Sequence, residues 1–285
     1  MFAVLTKILK TIAIYFTGIF LFLSFIIFFI GLFIKDTDSV QPDLELNEID
    51  TAIQDSENMP AALKEIIPDE QKGSVYVQDN GETFTFSDLV RTPENSKYSY
   101  LLIWDLGEVD SAFGTAPGLD GLHHFLSSYL TGFIPFKTDK IWVPLYAISE
   151  KKIYERDEIY YNGLDEVWQN SRQAYFNQRG DCEDHALILA DWLIGLGYDA
   201  RVVGGIYKEE GHAWVILFKE GKEYLLEATD KNKSQHASYP LAFLETNYKP
   251  EYMFNRKYFW INTGSKFTTV YSGKQWVLKS RFEKE

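Results

Sequence analysis

Residues 180–195 read Gly-Asp-Cys-Glu-Asp-His-Ala-Leu-Ile-Leu-Ala-Asp-Trp-Leu-Ile-Gly. Apolar side chains recur here at helical spacing, and glycines at 195 and 197 close the stretch, which predicts an α-helix. Asp181 is a suitable N-cap, so Cys182 falls in the first turn. The helix dipole and the unpaired first-turn amides favour a thiolate there and can hold an oxyanion. The stretch therefore indicates a nucleophilic thiol, with a small buried apolar cysteine as the alternative interpretation.

Three β-strands are predicted after this helix, at 200–207, 211–218 and 223–229. His212 opens the second strand, and residues 219–222 join it to the third as a hairpin. An imidazole at the edge of a sheet is suited to act as a base toward a helix-borne thiol.

An acid near the end of the third strand is expected to fix the tautomer of the imidazole, and Glu227 and Asp230 are both placed for this. A two-residue turn at 220–221 puts Glu227 on the same face as His212, whereas a three-residue turn favours Asp230. The residues alone do not decide whether Glu227 or Asp230 is the partner of His212.

Three blocks of this region resemble the transglutaminase-like superfamily, which includes bacterial transglutaminase-like cysteine peptidases. They are Gly-Asp-Cys-Glu-Asp at 180–184, Gly-His-Ala-Trp-Val at 211–215 and Leu-Glu-Ala-Thr at 226–229, in the family's order. The resemblance spans about residues 160–232 and implies an α+β fold. In this papain/transglutaminase-like core the nucleophile helix packs on an antiparallel sheet that carries the histidine and the acid.

The resemblance implies a role for each matching residue. Cys182 corresponds to the nucleophile, His212 to the general base, and Glu227 to a position where many relatives have Asp. It favours Glu227 over Asp230 as the third member of the triad. It also implies a side-chain oxyanion donor upstream of the nucleophile, for which Trp168, Gln169 and Gln178 are candidates.

The histidines and acids outside this triad do not make a predicted metal site. Cys182 and His185 are two ligands, fewer than a tetrahedral site needs. Glu183 and Asp184 are compatible with calcium or with a solvated or salt-bridged helix start. The adjacent His123 and His124 are expected at the surface. We therefore predict a site that uses neither a metal nor another cofactor.

The N-terminal part is predicted to be a membrane anchor. Residues 11–34 contain no charged side chain, and 24 residues suffice to span a bilayer as a helix. The run is longer than the apolar region of a signal peptide, about 7–15 residues, so the helix is expected to be retained. Lys7 and Lys10 precede it and acids follow, which predicts a cytoplasmic N-terminus and a periplasmic or extracellular domain. A single cysteine is compatible with export.

The whole chain is predicted to divide into four parts: an anchor at 1–35, an acidic stalk at 36–72, the first part of a globular domain at 73–150 and the catalytic core at 151–285. Local patterns predict further elements: a hairpin at 74–86, a strand at 98–104, a turn-rich segment at 113–121, and helices at 122–133 and from 164 to about 178.

The net charge of the chain excludes one class of partner. A net charge of −13 would repel a phosphate backbone, so nucleic acid is not an expected partner. The expected partners are a protein or peptide substrate and the membrane. The prediction is an anchored thiol acyl-transfer enzyme, with peptide hydrolysis favoured. The alternatives are a transamidase with the same triad and a non-catalytic binding or assembly module.

Overall fold

The computed structural model describes residues 49–54, 71–92, 100–107, 109–231 and 239–285, all within the compact unit Glu48–Glu285. The predicted membrane helix at 11–34 and nearly all of the predicted stalk lie outside these residues. Within the described part of the chain, no helix is long and apolar enough to cross a bilayer.

An eight-stranded sheet dominates the described chain, and all of its neighbouring strands pair antiparallel in the order β10-β9-β8-β11-β12-β13-β1-β2. A three-stranded antiparallel sheet, β3-β4-β5, and a parallel pair, β6-β7, complete the strands described. Their bounds are β1 Gly73–Val77, β2 Thr83–Thr85, β3 Leu102–Leu106, β4 Val109–Pro117, β5 His123–Phe125, β6 Ile153–Tyr154, β7 Arg179–Gly180, β8 Asp199–Tyr207, β9 Glu210–Lys219, β10 Lys222–Leu226, β11 Tyr248–Phe254, β12 Tyr258–Asn262 and β13 Trp276–Lys284.

Five α-helices have named bounds: α1 Phe86–Arg91, α2 Val143–Lys151, α3 Asp157–Tyr160, α4 Ser171–Phe176 and α5 Cys182–Gly195. Helix α5 packs on β8 and β9 of the large sheet, and α2 and α4 pack against α5. Every side chain of α5 from Glu183 to Leu193 is buried. The fold is thus a mixed α/β structure in which one central helix lies against an antiparallel sheet.

A buried carboxylate fixes the position of α5. Asp191 is fully buried and accepts hydrogen bonds from the backbone amides of Gly132 and Phe133, both at 2.9 Å, and from the Ser171 hydroxyl at 2.5 Å. Its other oxygen pairs with Nε of Arg256 at 2.5 Å. Because the group is charged and buried, these partners must offset its desolvation. They tie α5 to three distant segments of the chain.

The helix and strands predicted around the motif blocks are confirmed. Helix α5 begins at Cys182 and ends at Gly195, where Gly197 adopts φ +94° in the following turn. Strands β8, β9 and β10 occupy the three predicted ranges to within three residues. The hairpin of β1 and β2 is also confirmed. It ends before Phe86, because Thr85 forms a capping box with Asp88 and starts α1 there.

The helix predicted at 122–133 is wrong: this segment forms β5 followed by a 3-10 turn, Leu126–Tyr129. Consecutive side chains from His123 to Leu130 are all buried. The spacing of the apolar residues therefore does not mark one buried face of a helix. The expectation that His123 and His124 lie at the surface is wrong for the same reason. His123 Nδ1 lies 3.0 Å from the Thr115 hydroxyl, and His124 Nε2 pairs with Asp120 at 3.0 Å.

Three further local predictions need correction. The turn-rich segment at 113–121 includes the end of β4, which pairs with both β3 and β5. The strand predicted at 98–104 is β3, begins at Leu102, and is half-buried rather than buried. The helix predicted from 164 begins only at Ser171, because Asn170 forms a capping box with Gln173.

Candidate active site

Cys182 is the first residue of α5, with Asp181 at the N-cap position but without a side-chain capping bond. The thiol donates to Oε2 of Glu183 at 3.4 Å, and the backbone amide of Ala213, on β9, lies near enough to lower the pKa of the thiol. The thiol is therefore held between the helix start and the strand that carries His212.

The expected depressed pKa of this thiol does not hold in the structure. Burial raises the pKa of Cys182 above its ordinary value, the negative charge of Asp181 and then that of Glu166 raise it further, and the Ala213 amide opposes the shift only in part. The helix dipole favours a thiolate, but burial of the sulfur, the adjacent Asp181, and Glu166 from another segment favour the thiol. The resting group is a neutral thiol.

His212 and Glu227 form a direct pair. Nε2 of His212 lies 2.7 Å from Oε2 of Glu227, and their side chains are only 13% and 17% exposed. The Tyr248 hydroxyl donates to the same oxygen at 3.0 Å. The Thr229 amide and hydroxyl donate to the other oxygen at 3.0 and 2.7 Å. Four contacts thus fix the carboxylate and aim it at the imidazole.

The electrostatics of Glu227 favour its charged form. Burial raises its pKa, but the hydrogen bond and the charge of His212 lower it, and so do the two hydrogen bonds from Thr229. The net shift is downward, so Glu227 is a carboxylate at neutral pH. A carboxylate facing Nε2 accepts a hydrogen bond from the N–H at that nitrogen and leaves Nδ1 as the ring atom that can accept a proton.

The turn between β9 and β10 has two residues, since Lys219 pairs with Lys222. Both intervening residues adopt positive φ, 52° at Glu220 and 71° at Gly221, as a tight hairpin turn with right-handed strand twist needs. This is the register from which the sequence places Glu227 on the face of His212. Asp230 lies farther along, on the wall of a neighbouring cavity.

Two cavities meet at His212. One, of about 510 Å³, is lined by both Cys182 and His212. The other, of about 740 Å³, is lined by His212, Glu227, Asp230 and the Tyr248 ring among others. Within the described residues no hydrogen bond joins the Cys182 thiol to His212, because the thiol is turned toward Glu183. The structure thus brings all three predicted side chains to one place, with the thiol rotated away from the base.

Two of the three predicted oxyanion donors, Trp168 and Gln169, donate to other partners. The indole of Trp168 lies in the Cys182 cavity, but its Nε1 donates to Glu166 at 2.5 Å. The Gln169 side chain is buried and donates to Asp184 at 2.6 Å and to the carbonyl of Arg179 at 3.0 Å. Gln178 precedes β7, where its carbonyl accepts from the amide of Ile153.

Four carboxylates lie against the nucleophile: oxygen atoms of Asp157, Asp181, Glu183 and Asp184 approach within 4.8 Å of one another. One oxygen each of Asp157, Asp181 and Glu183 is buried without a hydrogen-bond partner among the described residues. Burial, followed by the charge of Asp181, raises the pKa of Asp157 to about 8. Glu183 and Asp184 are buried, so the interpretation of a solvated helix start is wrong.

An all-oxygen set of this kind suits a hard divalent cation such as Ca²⁺. These residues could hold one, which would neutralise charges that are otherwise desolvated and mutually repulsive. His185 does not belong to this group. It is buried in α5, and burial together with the charges of Lys152 and Lys231 lowers its pKa well below the ordinary value, so it is a neutral core residue.

Several cavity residues were missed from the sequence. Glu166 and Tyr154 line the Cys182 cavity, and burial raises the pKa of Glu166 to about 7. Tyr252 of β11 lines it too. A signal for Tyr252 was present: the pair Gly204-Gly205 within a predicted strand marks a close approach of another group. For Glu166 and Tyr154 we find no signal in the sequence.

Comparison with known proteins gives a partial match around the site. Residues 166–278 match the sequence profile of the CEP76 peptidase-like domain, a range that contains Cys182, His212 and Glu227. A stretch of 52 residues is 42% identical to the centrosomal protein of 76 kDa from Danio rerio. That match spans 18% of this chain and only 8% of the length of the fish protein.

Two solved structures are similar at a low level. Calcium-bound LapG from Legionella pneumophila is 20% identical, with a TM-score of 0.36 over 49% of this chain and 78% of that one. An arylamine N-acetyltransferase from Bacillus cereus, described as having a Cys-His-Glu catalytic triad, is 18% identical, with a TM-score of 0.31 over 52% of this chain and 62% of that one.

Proposed function

We propose that this protein is a thiol acyl-transfer enzyme of the transglutaminase-like type that hydrolyses amide bonds in a protein or peptide substrate. The observation that carries the proposal is the 2.7 Å contact of His212 with Glu227 beside a cavity that also contains Cys182. The ordered motif blocks and the match to a peptidase-like domain over residues 166–278 support it.

Each residue of the triad has a role in this mechanism. The thiol of Cys182 rotates from Glu183 toward His212, which takes its proton as the sulfur attacks the substrate carbonyl. Glu227 keeps the imidazole in the tautomer that can accept this proton and stabilises the imidazolium that results. The imidazolium then protonates the leaving amine, and the thioester remains on Cys182.

Water as the acyl acceptor is the favoured outcome, and an amine is the alternative. The same triad serves a peptidase and a transamidase, since access to the thioester decides between them. A binding or assembly module would not need a carboxylate held by four contacts against a histidine.

The proposal extends to the location of the enzyme. The uncharged run at 11–34 anchors the protein in a membrane with the N-terminus in the cytoplasm and the catalytic domain outside it. What supports this is the length of the run and the distribution of charge on either side.

A peptide-turnover experiment tests the proposed reaction. The full-length chain and its Cys182→Ala variant are incubated with a defined peptide pool, with and without the amine probe monodansylcadaverine, and the products are identified by mass spectrometry. Hydrolysis predicts new peptide termini with the wild type only. Dansyl incorporation without cleavage would assign a transamidase instead. Identical product spectra from the wild type and the variant would contradict any thiol acyl transfer.

A further inference from the structure

Tyr252 lies on β11, the strand beside β8 in the large sheet. The register of this pair shifts between Pro250 and Tyr252, so that Glu251 is the extra residue of a bulge. Bulges near active sites commonly re-aim the side chain that follows them. Here the bulge brings Tyr252 directly opposite Gly204.

The ring of Tyr252 occupies space that a side chain at position 204 would fill. A Cβ atom on Gly204 would lie 2.1 Å from Cζ and 2.2 Å from the hydroxyl oxygen of Tyr252. The phenol therefore lies over Gly204, and its position depends on the absence of a side chain there.

Gly204 connects this hydroxyl to the nucleophile. It pairs across the sheet with Ala213, so their side-chain positions share one face, and the amide of Ala213 lies near enough to Cys182 to lower the pKa of its thiol. Tyr252, Cys182 and His212 also line the same cavity. Tyr252 and the nucleophile thus face the same cavity.

The hydroxyl of Tyr252 is available as a hydrogen-bond donor. Tyr252 is only 9% exposed, and within the described residues its hydroxyl makes no hydrogen bond. Burial, followed by the charge of Glu166, raises its pKa well above the ordinary value, so it keeps its proton. The alternative cavity donor, the Trp168 indole, is bonded to Glu166.

We infer that the Tyr252 hydroxyl is a catalytic oxyanion donor, acting with the backbone amide of Cys182 at the start of α5. This inference rests on the proposed function. When the sulfur bonds to the carbonyl carbon, the π electrons of the carbonyl move to its oxygen, and both donors hydrogen-bond that anion without transferring a proton. The anion collapses as the bond to the leaving group breaks.

Two reagents that react at the single thiol separate this role from a structural one. 4-Nitrophenyl acetate acetylates Cys182 through an oxyanion, whereas iodoacetamide alkylates it by direct displacement without one. With the full-length chain, Tyr252→Phe should slow acetylation by about 10²-fold, the cost of losing one oxyanion donor, and leave alkylation unchanged. The matched control, Tyr258→Phe, removes a tyrosine hydroxyl on β12, outside the cavity, and should change neither rate.

Each result of this experiment leads to a different conclusion about Tyr252 and the proposed function. Equal acetylation of wild type and Tyr252→Phe would overturn the inference and leave the proposed function standing. Parallel losses of acetylation and alkylation would assign Tyr252 to positioning of the thiol and also overturn it. If the wild-type thiol is acetylated no faster than the same chain unfolded in urea, the proposed function fails, and the inference fails with it.

Discussion

Nε2 of His212 and Oε2 of Glu227 lie 2.7 Å apart although fifteen residues and a hairpin turn separate them in sequence. The β9–β10 register and the hydrogen bonds from Thr229 and Tyr248 hold the carboxylate at this point. The pair therefore results from sheet geometry, and it can be perturbed without disturbing the helix that bears the thiol.

Glu227→Gln should lower the rate of acyl transfer with little loss of stability. The amide can present its NH₂ group to Nε2, which favours the tautomer with a proton on Nδ1 and removes the base. Loss of an orienting acid costs on the order of 10⁴ in turnover in a well-studied hydrolase triad. Acetylation by 4-nitrophenyl acetate measures the effect, with Asp230→Asn as the comparison. A larger loss in Asp230→Asn than in Glu227→Gln would transfer the role to Asp230.

Alkylation of Cys182 should be slow at neutral pH. Its pKa is raised by burial and by the charges of Asp181 and Glu166, so the thiolate population grows only above the ordinary thiol pKa, about 8.5. In the presence of a chelator, the rate of alkylation by iodoacetamide should rise steeply from pH 8 up to the pH at which the protein unfolds. The slope should correspond to about one ionisation. A rate already maximal at pH 6 would show that the carboxylates do not act on the sulfur as described.

Ca²⁺ should stabilise the chelator-treated protein. It would neutralise Asp157, Asp181, Glu183 and Asp184, and a ligand at a hundredfold its Kd adds about 2.7 kcal/mol to the stability of the native state. Thermal unfolding with and without CaCl₂ measures the gain. Asp157→Asn should reduce the Ca²⁺-dependent rise in Tm, whereas Asp199→Asn, at an exposed ion pair, should leave it intact. A Tm independent of Ca²⁺ in the wild type would count against a cation at this cluster.

Asp191→Ala should destabilise the fold by about 3 kcal/mol, because it leaves Arg256 and the backbone amides of Gly132 and Phe133 without their buried partner. Asp199→Ala also removes one member of an Asp–Arg pair, but that carboxylate is 49% exposed. It should cost less than about 1 kcal/mol. Urea unfolding of the two variants gives the comparison, and equal midpoints would refute the anchoring role of Asp191.

Protease added to intact spheroplasts should remove the catalytic domain, since lysines precede the run at 11–34 and acids follow it. An antibody against the C-terminal residues would follow the loss. Protection that persists until the membrane is lysed would place the domain in the cytoplasm.

Secondary structure was predicted correctly from the sequence where the local residue pattern and the packing of the fold favour the same element. Helix α5 and strands β8 to β10 follow their periodicities and turn residues. The residues alone left Glu227 and Asp230 open as partners of His212, and the family resemblance favoured Glu227, which the structure pairs with His212. Prediction of secondary structure did not work at 122–133, where burial on all sides removes the face that distinguishes a helix from a strand. The sequence also failed to predict the raised pKa of the Cys182 thiol. Glu166 approaches Cys182 only in the folded chain, and no sequence pattern reveals a charge brought near by a distant segment.

The two-residue turn at Glu220 and Gly221 limits how this protein can vary through evolution. Insertion of one residue there would slip β10 by one position and turn the carboxylate at 227 to the opposite face, away from the imidazole. Lineages that keep the chemistry should therefore conserve the length of this connection more strictly than its side chains. Homologues in which the loop has grown by an odd number of residues are the ones in which to look for a different third residue or a lost activity.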